Sequence, residues 1–286
     1  MEYQEIIDKI KSLEIQGARN IALAAIDAFG MKLKETQDES ELKKAHDELI
    51  ETRPTEPALR NGLHYCLSNY KKDSGIAEKA KNHFSESKKK IAEYGSKKIE
   101  DGMKIFTHCH SSTVRAVIEK AWDDGKKFEV YNTETRPKFQ GRKTATKLAA
   151  KGIPVTHFVD SAGRSMIRKC DLFLFGCDAV TAEGKLINKI GTEMLADAAQ
   201  ESRIDAYSCT NAWKFNAETL YGEEEEIEQR SIDEVWEDAP EGIKIYNPAF
   251  EVTSPDMFTG VITELGIYKG EALVDAVKEE YPWMFE

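Results

Sequence analysis

Residues 103–134 read MKIFTHCHSSTVRAVIEKAWDDGKKFEVYNTE, and the organisation of the chain turns on how this stretch divides. Its first seven residues, MKIFTHC, and its last seven, FEVYNTE, are apolar runs of strand length. Between them Val114, Val117, Ile118 and Ala121 recur at i, i+3, i+4 and i+7, the spacing that lines one face of a helix. A strand, a helix and a second strand in this order make a unit with parallel strands, because the helix carries the chain back along the sheet.

The alternation continues downstream in PVTHFVD (154–160), DLFLFG (171–176), DAYSCT (205–210) and GVITE (260–264), with helical stretches between several of these runs. Upstream of Gly102 the pattern differs. Ile6, Ile7, Ile10 and Leu13, then Ile21, Ala24, Ala25 and Ala28, follow a period near 3.6, and no strand is evident. The expected fold is therefore α/β: a helical N-terminal domain over residues 1–101, followed by a Rossmann-like, doubly wound parallel sheet domain over 102–286. Two prolines in Thr52-Arg53-Pro54-Thr55-Glu56-Pro57 mark a helix boundary. The Lys- and Glu-rich segment from Ile76 to Ile99 is predicted to be a long, largely solvated helix leading into the second domain.

A chain of 286 residues buries a full core without staples. Its five cysteines are odd in number and show no paired spacing, which fits free thiols in a reducing compartment. No stretch approaches the roughly 18 apolar residues of a membrane span, and MEYQEIIDKIKSLE lacks the order of a signal peptide, so a cytoplasmic protein with no membrane partner is expected. The 51 acidic residues outnumber the 40 basic ones, which argues against a nucleic-acid partner but leaves room for a local basic pocket and a phosphorylated small molecule.

Ligands of parallel sheets bind beyond the C-terminal ends of the strands, and THCHSS (107–112) sits at such an end. A metal site, a reactive thiol and an ordinary strand end are the three readings. Strand alternation turns His108 and His110 to one side and Cys109 to the other, and no second ligand pair follows, so no metal is expected. If a helix begins near Ser111 or Ser112, its N-terminal N–H groups favour a Cys109 thiolate, which would be a base poised near neutral pH. A cysteine taken alone is more commonly buried and inert, and that reading stays open.

Asp178, in GCDAV, directly follows DLFLFG, so its carboxyl also sits on the rim, where burial can suit it to general acid work. Many aspartates so placed only cap a loop. Cys177 beside it is expected to face away and pack. For anions, Arg136 follows the second strand, and Asn188-Lys189-Ile190-Gly191-Thr192 opens a helix predicted over 192–202. Gly17, Ala18, Arg19 and Arg53 are further anion candidates, although a single Arg or Lys is more often a surface residue. No P-loop or GxGxxG is present, so neither ATP nor a dinucleotide is indicated. Glu223 to Glu226 reads as an exposed loop and Asn247 to Phe250 as a turn lining the pocket. His64, His83 and His157 show no partner in the sequence.

Taken in order, THCHSS, ETRPKFQG, VTHFVDSA, GCDAV, LINKIGT and NPAFEVT resemble the superfamily of ribose-1,5-bisphosphate isomerases, methylthioribose-1-phosphate isomerases and regulatory subunits of translation initiation factor 2B. The resemblance covers essentially the whole chain. It implies an enzyme whose catalytic residues are Cys109 and Asp178, a pair that the regulatory subunits typically lack. TRPTEPALRNGL matches the family's RPT segment, which implies that Arg53 contacts a phosphate. The candidate substrate- and phosphate-binding set is then Gly17, Ala18, Arg19, Arg53, Ser111, Arg136, Asn188 and Lys189. The family's Arg-Gly-Ala is Gln16-Gly17-Ala18 here, so one phosphate contact is lost or passes to Arg19.

THCHSS and GCDAV look closest to the archaeal ribose-1,5-bisphosphate isomerases. This implies conversion of α-D-ribose 1,5-bisphosphate into D-ribulose 1,5-bisphosphate through a cis-phosphoenolate, within AMP and nucleoside salvage, with AMP as an activator and no cofactor or metal. It also implies a homo-oligomer, a dimer built from the second domain or a hexamer. The alternatives are a methylthioribose-1-phosphate isomerase and a non-catalytic regulatory subunit that binds a sugar phosphate or nucleotide.

Overall fold

The apolar spacing of the first hundred residues folds as helices throughout: α1 (Tyr3–Lys11), α2 (Ala18–Glu35), α3 (Glu39–Ile50), α4 (Pro57–Asn69) and α5 (Ile76–Ser96). The computed structural model describes residues 1–285, and among them no strand precedes Lys104. α2 buries Ile21, Ala22, Ala25, Ile26, Ala28 and Phe29. Its alanines keep that face narrow, so α4 can pack close along it. α3 starts where Asp38 accepts the N–H groups of Ser40 and Glu41 at 2.9 and 3.1 Å, a cap worth about 1 kcal/mol.

α5 departs from the solvated helix expected of its Lys- and Glu-rich sequence. Its sparse apolar positions, Ile76, Ala80, Phe84, Ile91 and Ala92, fall on one buried stripe. The last turn of that stripe packs against residues that open the second half of the chain. At Gly95 an added Cβ would lie 2.6 Å from a methyl group of Val117, so the close approach depends on having no side chain there.

From Lys104 onward strands and helices alternate: β1 (Lys104–Thr107), α6 (Ser112–Asp123), β2 (Glu129–Thr133), α7 (Gln140–Ala150), β3 (Val155–Phe158), α8 (Gly163–Ile167), β4 (Leu172–Phe175), β5 (Ala179–Val180), β6 (Leu186–Lys189), α9 (Thr192–Glu201), β7 (Asp205–Cys209), β8 (Phe250–Thr253), β9 (Gly260–Thr263), β10 (Gly266–Tyr268) and α10 (Gly270–Glu280). Seven strands form the main sheet in the order β10-β9-β7-β4-β1-β2-β3. All its pairings are parallel except β10 with β9. The six apolar runs read from the sequence are the six parallel strands, and the fold is α/β as expected.

Period-two alternation sorts the core into two layers. Ile105, Leu172 and Leu174 face Val114, Val117 and Ile118 of α6. Phe106, Phe173 and Phe175 belong to the opposite layer with Leu195 and Ala196 of α9. Phe173 and Phe175 stack at 5.0 Å, and Phe106 meets Phe173 edge-on at 5.4 Å.

A second, three-stranded antiparallel sheet, β5-β6-β8, stands at the end of β4. It was not legible as strands in the sequence. β5 is only two residues long, LINK reads equally well as the lead-in to a helix, and NPAF presents a turn before β8 begins at Phe250.

Candidate active site

The order of the main sheet reverses between β1 and β4. The chain moves outward one way through β2 and β3 and the other way through β7 and β9, which leaves a crevice at the C-terminal ends of the central pair. Cys109 follows β1 and Asp178 follows β4, so the register of Phe106 with Phe173 and Thr107 with Leu174 brings their loops side by side. The crevice deepens into a cavity of about 520 Å³, closed on its far side by residues of α2, α5 and the turn before α4.

Cys109 sits in the left-handed region at φ 67°, a conformation that costs a non-glycine residue about 1–3 kcal/mol. Two threonines hold it there. Its N–H donates to Thr135 Oγ1 at 3.0 Å, and its carbonyl accepts from Thr144 Oγ1 at 2.8 Å. The left-handed turn breaks strand alternation, so the thiol shares the cavity with its histidine neighbours.

The expected thiolate near neutral pH is corrected by burial. α6 does begin at Ser112, and Ser111 Oγ caps it by accepting the Val114 N–H at 3.3 Å. Desolvation nevertheless pushes the Cys109 thiol up to about 11, against the opposing pull of the Lys189 charge and the His110 N–H. Cys109 is a thiol at neutral pH.

His108 is buried, with Nδ1 2.6 Å from Thr133 Oγ1 and Nε2 2.9 Å from the Ile190 carbonyl. The carbonyl requires Nε2 to be the donor, so Nδ1 accepts the threonine hydroxyl and the ring is neutral, in line with a pKa lowered by burial. Both nitrogens are taken, which removes His108 as a metal ligand. Gly191, at φ 100°, lets the chain pass over this ring where a Cβ would come within 3.2 Å of Nε2.

Asp178 is half-buried, and its N–H donates to the Ile187 carbonyl of β6 at 2.7 Å, so the small sheet fixes its backbone. Cys177 faces away as expected, with its buried Sγ 2.9 Å from the Ala179 carbonyl. Asn188 Nδ2 donates to Thr192 Oγ1 at 2.9 Å, tying β6 to the start of α9. Lys189 lines the cavity, lies over the Phe250 ring at 4.7 Å, and has no ion-pair partner among the described residues.

Gly17 is the N-cap of α2 with no side chain over its first N–H groups, and Ala18 is buried beside it. Both line the cavity. Arg19 donates to Ser85 Oγ at 3.4 Å, while its Nε is buried without a partner. Arg19 is joined by Lys88 of α5, Arg115 of α6, and Lys143 and Lys147 of α7, all lining the cavity around His110. Burial and then the charges of Lys147, Arg115, Lys143 and Lys88 hold the His110 pKa down to about 4. Among the described residues only Arg115 of this group has a carboxylate partner, Glu119. The sequence reading missed these four cations because they lie on three helices separated by up to 59 positions.

Arg136 is corrected. Its backbone N–H is pinned to Asp160 Oδ2 at 2.7 Å, its exposed side chain reaches the Val235 carbonyl at 3.3 Å, and it does not line the cavity. Arg53 does line it, but its guanidinium is held by Glu228 through contacts of 3.3 and 2.6 Å. Glu228 also pairs with Arg230, Arg230 with Glu234, and Glu234 with Lys138. The acidic segment expected as a plain exposed loop is thus partly anchored, since Glu225 also accepts from Asn216 Nδ2 at 2.5 Å. Lys214, absent from the sequence reading, lines the cavity and donates to the Cys177 carbonyl.

Glu56 was also missed. It is 4% exposed, occupies the N-cap of α4 without capping it, and keeps Oε2 buried with no hydrogen-bond partner. Its Oε1 lies 3.7 Å from Arg53 Nη2. Burial first, then the Asp178 charge, push its carboxyl up to about 8. Its only signal in the sequence is an acidic residue three positions after Arg53.

Comparison with known proteins agrees with this geometry. The model of the initiation factor 2 subunit family matches residues 14–270. Ribose 1,5-bisphosphate isomerase of Thermococcus kodakarensis is 41% identical over 310 residues, covering 99% of this chain and 95% of that protein. The protein of the same description from Pyrococcus furiosus is 39% identical, covering 100% and 96%. Among solved structures, translation initiation factor eIF-2B of Pyrococcus horikoshii OT3 superposes with a TM-score of 0.82 at 28% identity, covering 93% of this chain and 96% of that one. A family match of this length, on a fold whose switch-point cavity brings Cys109 and Asp178 together, identifies the chain as a member of the initiation factor 2 subunit family.

Proposed function

We propose that this chain is an aldose–ketose isomerase converting α-D-ribose 1,5-bisphosphate into D-ribulose 1,5-bisphosphate. One observation carries the reading: Cys109 and Asp178 face a single cavity that also holds two sets of cations with no member in common. Arg53 and Lys214 act on Glu56 beside Asp178. Lys88, Arg115, Lys143 and Lys147 act on His110 beside Cys109. Two phosphates suit two such sets, whereas a methylthio group would leave one of them facing an apolar substituent with its charges unneutralised. The full-length similarity to ribose 1,5-bisphosphate isomerases supports the same choice.

In this reading Asp178 gives a proton to ring oxygen O4 as the C1–O4 bond breaks, while Cys109, acting from the minor fraction of its thiol that is ionised at neutral pH, removes the proton from C2 as a thiolate. The cis-phosphoenolate that results takes a proton back at C1 from Cys109, and Asp178 recovers one from O2 as the ketone forms. Each proton lost is returned, and no oxidant is needed. Lys189, which draws the Cys109 thiol toward ionisation, also neutralises charge on the enolate. Gly17, Ala18, Arg19, Arg53, Ser111 and Asn188 complete the binding set, and the helical first hundred residues shield the phosphoenolate from water.

The test is incubation with α-D-ribose 1,5-bisphosphate, with and without AMP, and detection of ribulose 1,5-bisphosphate. Turnover that falls at least about a thousandfold in both Cys109→Ser and Asp178→Asn is expected. Turnover of methylthioribose 1-phosphate instead, or of neither substrate, would overturn the reading. Size measurement of the same sample tests the proposed homo-oligomer.

A further inference from the structure

Glu56 has no part in the binding or catalytic set above, yet it is the most deeply enclosed carboxyl lining the cavity. Three geometric facts set it apart. It stands at the head of α4, and its carboxyl makes no hydrogen bond to the helix's first N–H groups. Its Oε2 is fully buried and meets no donor. The nearby guanidinium of Arg53 is committed to Glu228 at 2.6 Å and reaches Glu56 only at 3.7 Å.

An ionised carboxylate so placed would have no donor at Oε2 and would sit near the charge of Asp178, whereas a protonated one costs less to bury and escapes the repulsion. The charges around it are Arg53 from its own turn, Asp178 from the loop after β4, Lys214 from the segment after β7, and Glu228 from the acidic segment. The two cations do not offset burial and the two anions, and the group titrates at about 8.

We propose that Glu56 is a positioning residue acting through Asp178: it holds the proton that Asp178 delivers to O4 and accepts it again when Asp178 recovers a proton from O2. This role rests on the isomerase reading. At neutral pH Glu56 holds its proton. Glu56 and Asp178 line the same cavity, and Glu56, the more deeply buried of the two, stores what Asp178 must give. The proton passes from Glu56 to Asp178 to O4 on ring opening, and from O2 to Asp178 to Glu56 on ketone formation, so the pair ends as it began.

Two arms test this on the full-length protein. In the first, thermal midpoints of parent, Glu56→Gln, Asp178→Asn and the double variant are measured from pH 4 to 9.5 without substrate. The advantage of Glu56→Gln over parent should grow from pH 4.5 and level off near 8, and the levelling point should drop by at least about one pH unit in the Asp178→Asn background. In the second, turnover of ribose 1,5-bisphosphate is followed against pH. Glu56→Gln should lower kcat at pH 7 at least about tenfold with KM within about threefold, and should abolish the break near pH 8 in the parent profile.

A pH-independent stability difference, or a levelling point indifferent to Asp178, overturns the pair. A coupled pair whose Glu56→Gln variant keeps parental kcat or the break near 8 overturns its role in the reaction. Coupling in the first arm with no turnover by the parent enzyme refutes the isomerase, and the proton-delivery role with it, while leaving the shared proton established.

Discussion

Cys109 keeps its proton at neutral pH because burial outweighs its cationic and amide neighbours. Its alkylation by iodoacetamide should therefore accelerate about tenfold per pH unit between pH 7 and 10, as the thiolate fraction grows toward a midpoint of about 11. A labelling rate that saturates by pH 8 would show a low-pKa thiolate instead. Cys66, Cys170, Cys177 and Cys209 are all buried, and mass spectrometry should find them modified only after Cys109. The position of Cys109 and Asp178 on the sheet's C-terminal rim was readable because each follows an apolar strand, a relation local to a few residues. The sequence disclosed the direction of neither the Cys109 shift nor the Arg136 side chain. Both depend on what packs around them from distant segments.

At the level of elements, the six parallel strands were readable because each is a short apolar run bounded by polar or glycine residues, and period-two burial then fixed their faces. The small sheet was hidden because its strands borrow residues that also suit a turn or a helix start. The α5 helix was misjudged for a related reason. Charged residues dominate its composition, while a single narrow stripe carries its packing. Gly95 tests that stripe. Its added methyl would meet the stiff, β-branched Val117 at 2.6 and 2.8 Å, so Gly95→Ala should cost about 1–3 kcal/mol, read as a lower urea midpoint with an unchanged m-value. An unchanged midpoint would mean that α5 and α6 can part without loss.

Across the whole molecule, the helical segments are joined to the stretch between β7 and β8 by charged contacts as well as packing. Arg53 reaches Glu228 across 175 positions of sequence, and Arg60 meets Glu218 at 2.6 Å. Replacing Arg53 by Ala should raise KM for the bisphosphate at least about tenfold, with half-buried Glu228 keeping Arg230 as its remaining ion-pair partner. Glu228→Gln should do the reverse, lowering KM about two- to fivefold, since it frees the guanidinium for phosphate. Steady-state kinetics at two salt concentrations would check both, and a rise in KM for Glu228→Gln would show that the glutamate positions Arg53 rather than competing for it.

With Arg53 as the phosphate contact proposed above, its pairing with Glu228 would make the protein its own inhibitor at that point, because a tethered carboxylate is present there at a high local concentration whatever the solvent contains. Stray monoanions such as acetate, bicarbonate or a lone inorganic phosphate must displace it with nothing else to gain. A molecule already held by its other end does not face that handicap, for its second charge arrives at a local concentration of the same order. On that proposal the ion pair would work as a toll gate for valency, admitting ligands according to how many charges they carry and how far apart they hold them.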